Sequence, residues 1–320
     1  MEESITNVSG GSGSNGHSFT TGAILYGSQA CFSLMANLLV VCLFTCRRRL
    51  LCNPFNRCIL SLAITDVLTS ISVLTSPGFV MGEEMYSPKG HSYLARELYC
   101  RVLVNKFLPF ALGITSVYTS VVLSFERWLA VRRSIFYKSR FKIRHMNVLI
   151  ITSWLIGFAT EAPLTFFIQG AHDHTALESC RYTLSQNKVS TIFLSTGLLL
   201  FQTVIPSALI TLAYVDVFRG IKTSLLFAAS ARAENINGIT RLKKVTKIAA
   251  VTTFVVAVCW LPCSIAFYLS LLILEEPFND NRNPFVVFFG LLAFANGCIN
   301  PCIYVYSNPD LRSALKDIFC

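Results

Sequence analysis

Seven long stretches of this chain carry almost no charged side chains. A helix that crosses a lipid bilayer needs about 20 mostly apolar residues, and each stretch is close to that length or longer. Soluble helices of such length normally keep a charged face toward water. Only 14% of the 320 residues are charged, and 53% are hydrophobic. The stretches, called spans one to seven below, are 18–46, 59–81, 107–125, 147–171, 189–215, 248–274 and 283–309.

These spans predict an all-α integral membrane protein, a seven-transmembrane helix bundle with a short amphipathic eighth helix. The predicted divisions are an extracellular tail at 1–21, the bundle at 22–306, and the eighth helix with the C-terminus at 307–320. We expect a multi-pass protein of the plasma membrane, in contact with the lipid bilayer.

Basic residues concentrate in every second segment between the spans and after the last span. Short loops rich in Lys and Arg stay on the cytoplasmic side of a membrane. The first, third and fifth segments are therefore predicted to lie inside the cell, and the amino terminus outside. This alternation accounts for the net charge of +10, so no nucleic-acid partner is expected.

Cysteine positions predict one disulfide bond. Of the twelve cysteines, only Cys100 and Cys180 fall in segments predicted to lie outside. Because that side is oxidising, we expect these two residues to be joined. Asn7 begins a glycosylation triplet on the same side, although such triplets also arise by chance. Cys320 ends the chain after an amphipathic stretch and is either palmitoylated or a free thiol.

Polar side chains inside the spans are candidate functional residues, because unsatisfied polar groups in a membrane are costly. The candidates include Asp66 in span two, Ser116 in span three, and Asn296 with Asn300 in span seven. The two asparagines are four residues apart and share a helix face. Two hypotheses remain open: a hydrated pocket for a small cation, or a static network that only joins helices.

Span three ends in Glu126 and Arg127, at its predicted cytoplasmic boundary. The arginine either pairs locally and is released toward other partners, or simply extends to the membrane interface. Prolines interrupt spans four to seven and allow two arrangements of the bundle, as they also do in transporters. They are Pro163, Pro206, Pro262 and Pro301.

One motif in each span, in chain order, resembles the pattern of the rhodopsin-like G-protein-coupled receptors. The resemblance extends from Gly22 to Cys320. It is carried by Asn37, Leu62-Ala63-Ile64-Thr65-Asp66, Cys100, Glu126-Arg127-Trp128, Trp154, Pro206, Tyr214, Cys259-Trp260-Leu261-Pro262 and Asn300-Pro301-Cys302-Ile303-Tyr304. The run Asn308-Pro309-Asp310-Leu311-Arg312 is similar to the start of the family's eighth helix.

The resemblance implies a receptor, not an enzyme, that passes ligand binding to a heterotrimeric G protein. It favours the cation hypothesis, with an allosteric sodium ion at Asp66, Ser116, Asn296 and Asn300 and no other cofactor. It implies an activation switch made of Glu126, Arg127, Tyr214, Trp260, Pro262, Pro301 and Tyr304. It also implies that Arg127 and Ile135 contact the G protein.

Several positions depart from the family pattern. Span three has Glu-Arg-Trp where the commonest form is Asp-Arg-Tyr. Leu242 stands where many members carry an acid that faces Arg127, so we expect no ion pair between these spans and raised basal activity. Val256 replaces the usual Phe below Trp260. Cys100 lies two residues further from Arg127 than is common, and together with Pro109 it predicts an irregular outer end of span three.

The ligand is constrained mainly by exclusion. Phe294 stands where an opsin has its Schiff-base lysine, and Pro109 stands where amine receptors carry an Asp. Neither retinal nor an amine is therefore expected, and the resemblance favours a peptide. The candidate pocket residues are Asn105, Lys106, Pro109, Gln202, Phe267 and Phe294.

Two alternatives belong to other functional classes. A constitutively active orphan receptor would signal without any ligand. A seven-span transporter or channel would use Asp66 and the asparagines as an ion path, but it would leave Arg127 without a role.

Overall fold

The computed structural model describes residues 12–81, 92–170, 180–182, 188–230, 236–270, 283–307, 311–313 and 315. Asn7 and Cys320, the two predicted modification sites, lie outside these ranges. Within them, seven helices are long and apolar enough to cross a membrane. Their crossing segments are Thr21–Cys46, Pro54–Thr75, Phe107–Arg132, Ile143–Phe166, Ile192–Thr223, Leu242–Leu269 and Pro284–Tyr306.

Several helices extend beyond these crossing segments or are joined from shorter pieces. The first helix is Ser12–Cys46, and a 3-10 turn at Arg48–Cys52 leads into span two. Span five combines a helix at Lys188–Leu199, a π turn at Leu200–Val204 and a helix at Ile205–Ser230. Spans six and seven are the helices Ile236–Leu269 and Pro284–Ser307, and a short helix at Ser134–Ser139 follows span three.

Three boundaries differ from the sequence-based prediction. The first helix begins at Ser12, within the segment predicted to be a tail. Span three continues as helix to Arg132, because charged side chains are tolerated where a helix reaches the membrane surface. Span four ends as α-helix at Glu161, and a 3-10 segment at Ala162–Phe167 follows. Pro163 lies in its first turn, so this proline ends the α-helix instead of bending it.

The end of span three nearest Cys100 is irregular, as the sequence predicted. A short helix at Tyr93–Leu98 continues as a π turn at Tyr99–Val104. Lys106 then adopts a left-handed backbone conformation with φ of 55°, and the regular helix begins only at Phe107. The two extra residues between Cys100 and Arg127 are accommodated by this interruption.

A disulfide bond joins Cys100 to Cys180. Cys180 begins the strand β2 (Cys180–Tyr182), which pairs antiparallel with β1 (Ile168–Gly170), so that Cys180 lies opposite Gly170. The bond attaches this hairpin to the π turn before span three. The end of the bundle with this bond is called the disulfide end below, and the opposite end, which holds Arg127, the arginine end.

Two clusters of buried apolar side chains fill the bundle. One surrounds Leu62, Leu123 and Tyr304 near the arginine end, and the other surrounds Trp260 and Phe294 toward the disulfide end. Large apolar side chains also point outward, among them Leu155, Phe193 and Phe254. This outward apolar surface is expected of helices that face lipid.

Leu311 is buried in the first cluster. It begins the helical residues 311–313 and 315, which lie within the predicted eighth helix. Other residues of that segment are outside the described ranges, so its full extent stays a prediction.

Candidate functional site

Asp66 lies in the middle of the bundle with a weakly bonded carboxylate. Its side chain is buried between spans two and seven. Asn296 Nδ2 donates to Oδ1 at 3.5 Å, and Asn300 Nδ2 donates to Oδ2 at 3.4 Å. Both distances are long for N–H···O bonds, which are most often near 2.9–3.0 Å. The structure therefore brings three of the predicted pocket residues together without a tight bond.

A small cavity adjoins this carboxylate. Its lining includes Ser33, Asp66, Ser116, Trp260 and Asn296, and its volume is ≈ 20 Å³, enough for a single water-sized occupant. Ser116 is buried, and its hydroxyl has no hydrogen-bond partner within the described residues. Oδ1 of Asn300 is likewise without a partner there.

Spans one and seven are joined by a separate polar network. Asn37 Nδ2 donates to the carbonyl of Ser33 at 2.9 Å and to the carbonyl of Gly297 at 2.8 Å. Ser70 donates to Ser33 at 3.0 Å. These bonds are of ordinary length, so the static joining of helices is achieved mainly by Asn37 and not by Asp66.

Trp260 lines the cavity and also belongs to the cluster of buried side chains toward the disulfide end. Its ring contacts Phe110 at 6.3 Å and Phe294 at 6.0 Å between centroids. The indole lies directly on Gly113, where a Cβ would come within 1.9 Å of it. A larger residue at Gly113 would therefore displace the indole.

Two further features lie around Trp260 and in span seven. Its helix continues through Pro262, as the helix of span seven continues through Pro301. Val256, the departure noted above, is fully buried in the same cluster.

At the arginine end, Arg127 is held by its neighbour in sequence. Arg127 Nε and Nη2 donate to the two carboxylate oxygens of Glu126, a bidentate ion pair. The hydroxyl of Tyr137 donates to the same carboxylate. Burial, followed by the charge of Glu126, raises the pKa of Tyr137, which keeps this donor protonated. The guanidinium also lies 4.7 Å from the ring centre of Phe55.

The two tyrosines of the predicted switch are buried but not bonded to Arg127. The hydroxyls of Tyr214 and Tyr304 have no hydrogen-bond partner within the described residues. Among the same residues, Arg127 forms an ion pair with Glu126 alone. Leu242 on span six is apolar, so the absence of an ion pair from this position to Arg127 stays a prediction from the sequence. Ile135 is 84% exposed, so its side chain is accessible to a partner.

A contact between spans three and five was not predicted from the sequence. Asp216 Oδ2 accepts hydrogen bonds from Trp128 Nε1 and from Arg132 Nε, both at 2.9 Å. Asp216 is an acid that directly follows an otherwise charge-free span, among basic residues. This position of Asp216, together with the two donors four residues apart on span three, could have indicated a contact between the two spans.

The predicted ligand residues lie toward the disulfide end in different surroundings. Lys106 is buried, with its ammonium 4.7 Å from the ring centre of Phe79. Gln202 Nε2 donates to buried Glu161 at 2.9 Å. Asn105 and Phe267 are half-buried, whereas Pro109 and Phe294 are buried. Phe294 packs between aromatic rings, so it offers this region an apolar surface and no polar group.

Comparison with known proteins decides the family. The model of the 7 transmembrane receptor (rhodopsin family) matches residues 36–304. The chain belongs to this family. The predicted class is thereby confirmed: this is a multi-pass membrane receptor and not an enzyme or a transporter.

Individual relatives are distant and varied. A neuromedin U receptor homologue of Caenorhabditis elegans is 26% identical, with 91% of this chain and 77% of the relative aligned. Neuropeptide receptor 22 of the same organism is 26% identical, with 90% and 67% aligned. A Gq-coupled rhodopsin of Mizuhopecten yessoensis is 23% identical, with 90% and 58% aligned.

Proposed function

We propose that this receptor transmits the binding of an extracellular peptide to a heterotrimeric G protein. The observation that carries this proposal is the state of Arg127. It is paired with Glu126 alone among the described residues, while the buried hydroxyls of Tyr214 and Tyr304 have no partner there. Because a tyrosine hydroxyl can accept a hydrogen bond, both tyrosines are suitable partners for the Arg127 guanidinium in a second arrangement, in which it has left Glu126.

The proposed orientation places the disulfide end outside the cell and the arginine end inside. The basic segments between the spans support it, because such loops stay cytoplasmic. Exposed Ile135 then lies on the cytoplasmic face next to the arginine switch. An apolar side chain in that position suits insertion into a groove of a G protein.

A peptide is the ligand class that fits best. Of the relatives described above, one is named a neuropeptide receptor and another a neuromedin U receptor homologue. Phe294 and Pro109 occupy the positions where the Schiff-base lysine of opsins and the Asp of amine receptors would stand, and both are buried. Lys106 and Glu161, two buried charges toward the disulfide end, are suitable contacts for charged groups of a peptide.

A sodium ion is proposed as an allosteric ligand at Asp66. The long bonds to Asp66, the unpartnered Ser116 hydroxyl and the adjoining cavity support it. The donor set is a carboxylate with neutral oxygens, which suits a hard cation. Within the described residues, no cluster of three His, Cys, Asp or Glu side chains is formed for a transition metal.

Signalling without ligand is a second candidate property. The observation that favours it is Leu242, which leaves Arg127 without an acidic partner on span six. The arrangement in which Glu126 holds Arg127, called the closed arrangement below, then lacks one of the ion pairs that stabilise it in many family members. A larger fraction of the receptor molecules therefore adopts the second, open arrangement at equilibrium.

The proposal is tested by a G-protein activation panel in cells. Receptor-expressing cells are compared with cells that express Arg127→Ala at equal surface density, first without ligand and then with a peptide library. We expect activation of at least one G-protein class by the parent receptor, with basal activity above that of empty cells. Arg127→Ala should abolish both while reaching the surface normally. Preserved coupling in this variant would refute the switch.

A further inference from the structure

A single carboxylate oxygen of span five accepts two donors from span three. Asp216 Oδ2 lies 2.9 Å from both Trp128 Nε1 and Arg132 Nε. Trp128 and Arg132 are four residues apart, so they project from one face of their helix. Since both bonds end on one atom, a movement of that carboxylate away from span three stretches the two together.

The two helices approach closely at this point for a reason visible in the sequence. Gly220 follows Asp216 by one helical turn, and a Cβ there would lie 2.7 Å from Cδ of Arg132. The aliphatic part of Arg132 therefore lies against bare backbone. The indole of Trp128 is oriented by Phe125, whose ring is stacked on it at 6.0 Å and 18°.

This contact is placed beside both parts of the proposed switch. Trp128 directly follows Arg127, and Asp216 lies two residues after Tyr214. The bonds thus fix the spacing between the segment that holds the arginine and the segment that holds the tyrosine. A tyrosine is common where Trp128 stands in this family, and it offers a hydroxyl in place of an indole N–H.

We infer that Trp128, Arg132 and Asp216 form a clamp that stabilises the closed arrangement of the receptor. It replaces the ion pair between spans three and six that Leu242 makes impossible. This inference rests on the proposed function, and it makes Asp216 a positioning residue that acts through the Arg127 switch.

The expected strength of the clamp is modest. The side chains of Arg132 and Asp216 are 44% and 38% exposed, and ion pairs with such exposure contribute little. The indole bond to a carboxylate is charge-assisted and is therefore the stronger part. The clamp shifts the equilibrium between two arrangements by a small factor and does not prevent activation.

The test measures GTP exchange on the G protein without ligand, in membranes with matched receptor density. Asp216→Asn and Trp128→Phe should each raise basal exchange about three- to tenfold, as expected for loss of a partly exposed, charge-assisted hydrogen bond. Trp128→Phe keeps an aromatic ring against Phe125 and removes only the donor. Adding it to Asp216→Asn should raise basal exchange by less than the two single effects combined, because both changes weaken the bond between the indole and residue 216.

Trp154→Phe is the matched control. It also removes an indole donor between two spans, since Trp154 Nε1 donates to Ser61 at 3.2 Å. Its basal exchange should equal that of the parent. Unchanged or lowered basal exchange in both clamp variants overturns the inference, and so does an additive double variant.

Failure of the clamp can be distinguished from failure of the proposed function. A parent receptor that activates no G protein, with or without peptide, refutes the function and leaves the clamp to a second measurement. Asp216→Asn should shift the tryptophan emission of the purified receptor, and this shift should vanish when Trp128 is Phe. Identical emission spectra for parent and Asp216→Asn overturn the clamp whatever the G-protein result.

Discussion

Two buried acids of the bundle are satisfied in opposite ways. Asp66 receives two long hydrogen bonds from neutral amides and adjoins a cavity. Glu126 receives both donors of a guanidinium and the hydroxyl of Tyr137. The first acid has oxygens available for a further ligand, whereas the second is neutralised by its own neighbours.

These two kinds of bonding imply different parts for the two acids in switching. A buried carboxylate with incomplete bonding is costly, and we expect a cation that fits beside it to stabilise the arrangement of the bundle that binds it better. A fully paired carboxylate instead stabilises the arrangement in which its partner is held. Asp66 is therefore expected to respond to ions, and Glu126 to control the release of Arg127.

The largest expected effect concerns Asp66. We expect sodium chloride to raise the thermal unfolding midpoint of the purified receptor above that in equal choline chloride, by about 2–8 °C. Asp66→Asn should remove this difference between the salts. Glu161→Gln is the matched control, because Glu161 is also a buried acid of a span but does not line the cavity. A sodium response that persists in Asp66→Asn would contradict the cation site.

A smaller effect is expected at Glu126. Glu126→Gln removes the charge that holds Arg127, so basal G-protein activation should rise about three- to tenfold, as for loss of a hydrogen-bonded ion pair. The measurement is ligand-free GTP exchange at matched surface density. Glu97→Gln breaks the ion pair with Arg101 at the other end of the bundle and should leave basal exchange unchanged. Equal basal exchange in Glu126→Gln and the parent would show that Glu126 does not control the release of Arg127.

The smallest effect is expected from restoring an acid to span six. Leu242→Glu should lower basal exchange about two- to fivefold, the range of a partly exposed ion pair with Arg127. Leu242→Gln, a polar change without charge, should have little effect. If the glutamine variant lowers basal exchange equally, polarity and not ion pairing accounts for the change.

The sequence predicted the spans because lipid imposes a simple rule on composition, and motif spacing then predicted Asp66 with its asparagines. The interruption before span three was also foreseen, from the extra distance between Cys100 and Arg127 and from Pro109. These features depend on positions along one chain segment or on a family pattern.

Contacts that depend on how helices rotate against each other were not predicted. Asp216 meets Trp128 only because span five presents that face, and Gly220 allows the approach. The end of span four was misplaced because Pro163 can either bend a helix or end it, and the sequence does not distinguish the two. Tyr137 reaches Glu126 through the short helix after span three, whose direction the sequence does not specify.

The left-handed residue at Lys106 has a mechanical consequence. The disulfide attaches the hairpin to the turn before this residue, not to the continuous helix Phe107–Arg132 that carries Arg127. A pull on the hairpin is expected to rotate the backbone at Asn105 and Lys106 first. The torque that reaches the helix is expected to be correspondingly smaller. We therefore expect tension on the hairpin and motion of Arg127 to be partly decoupled.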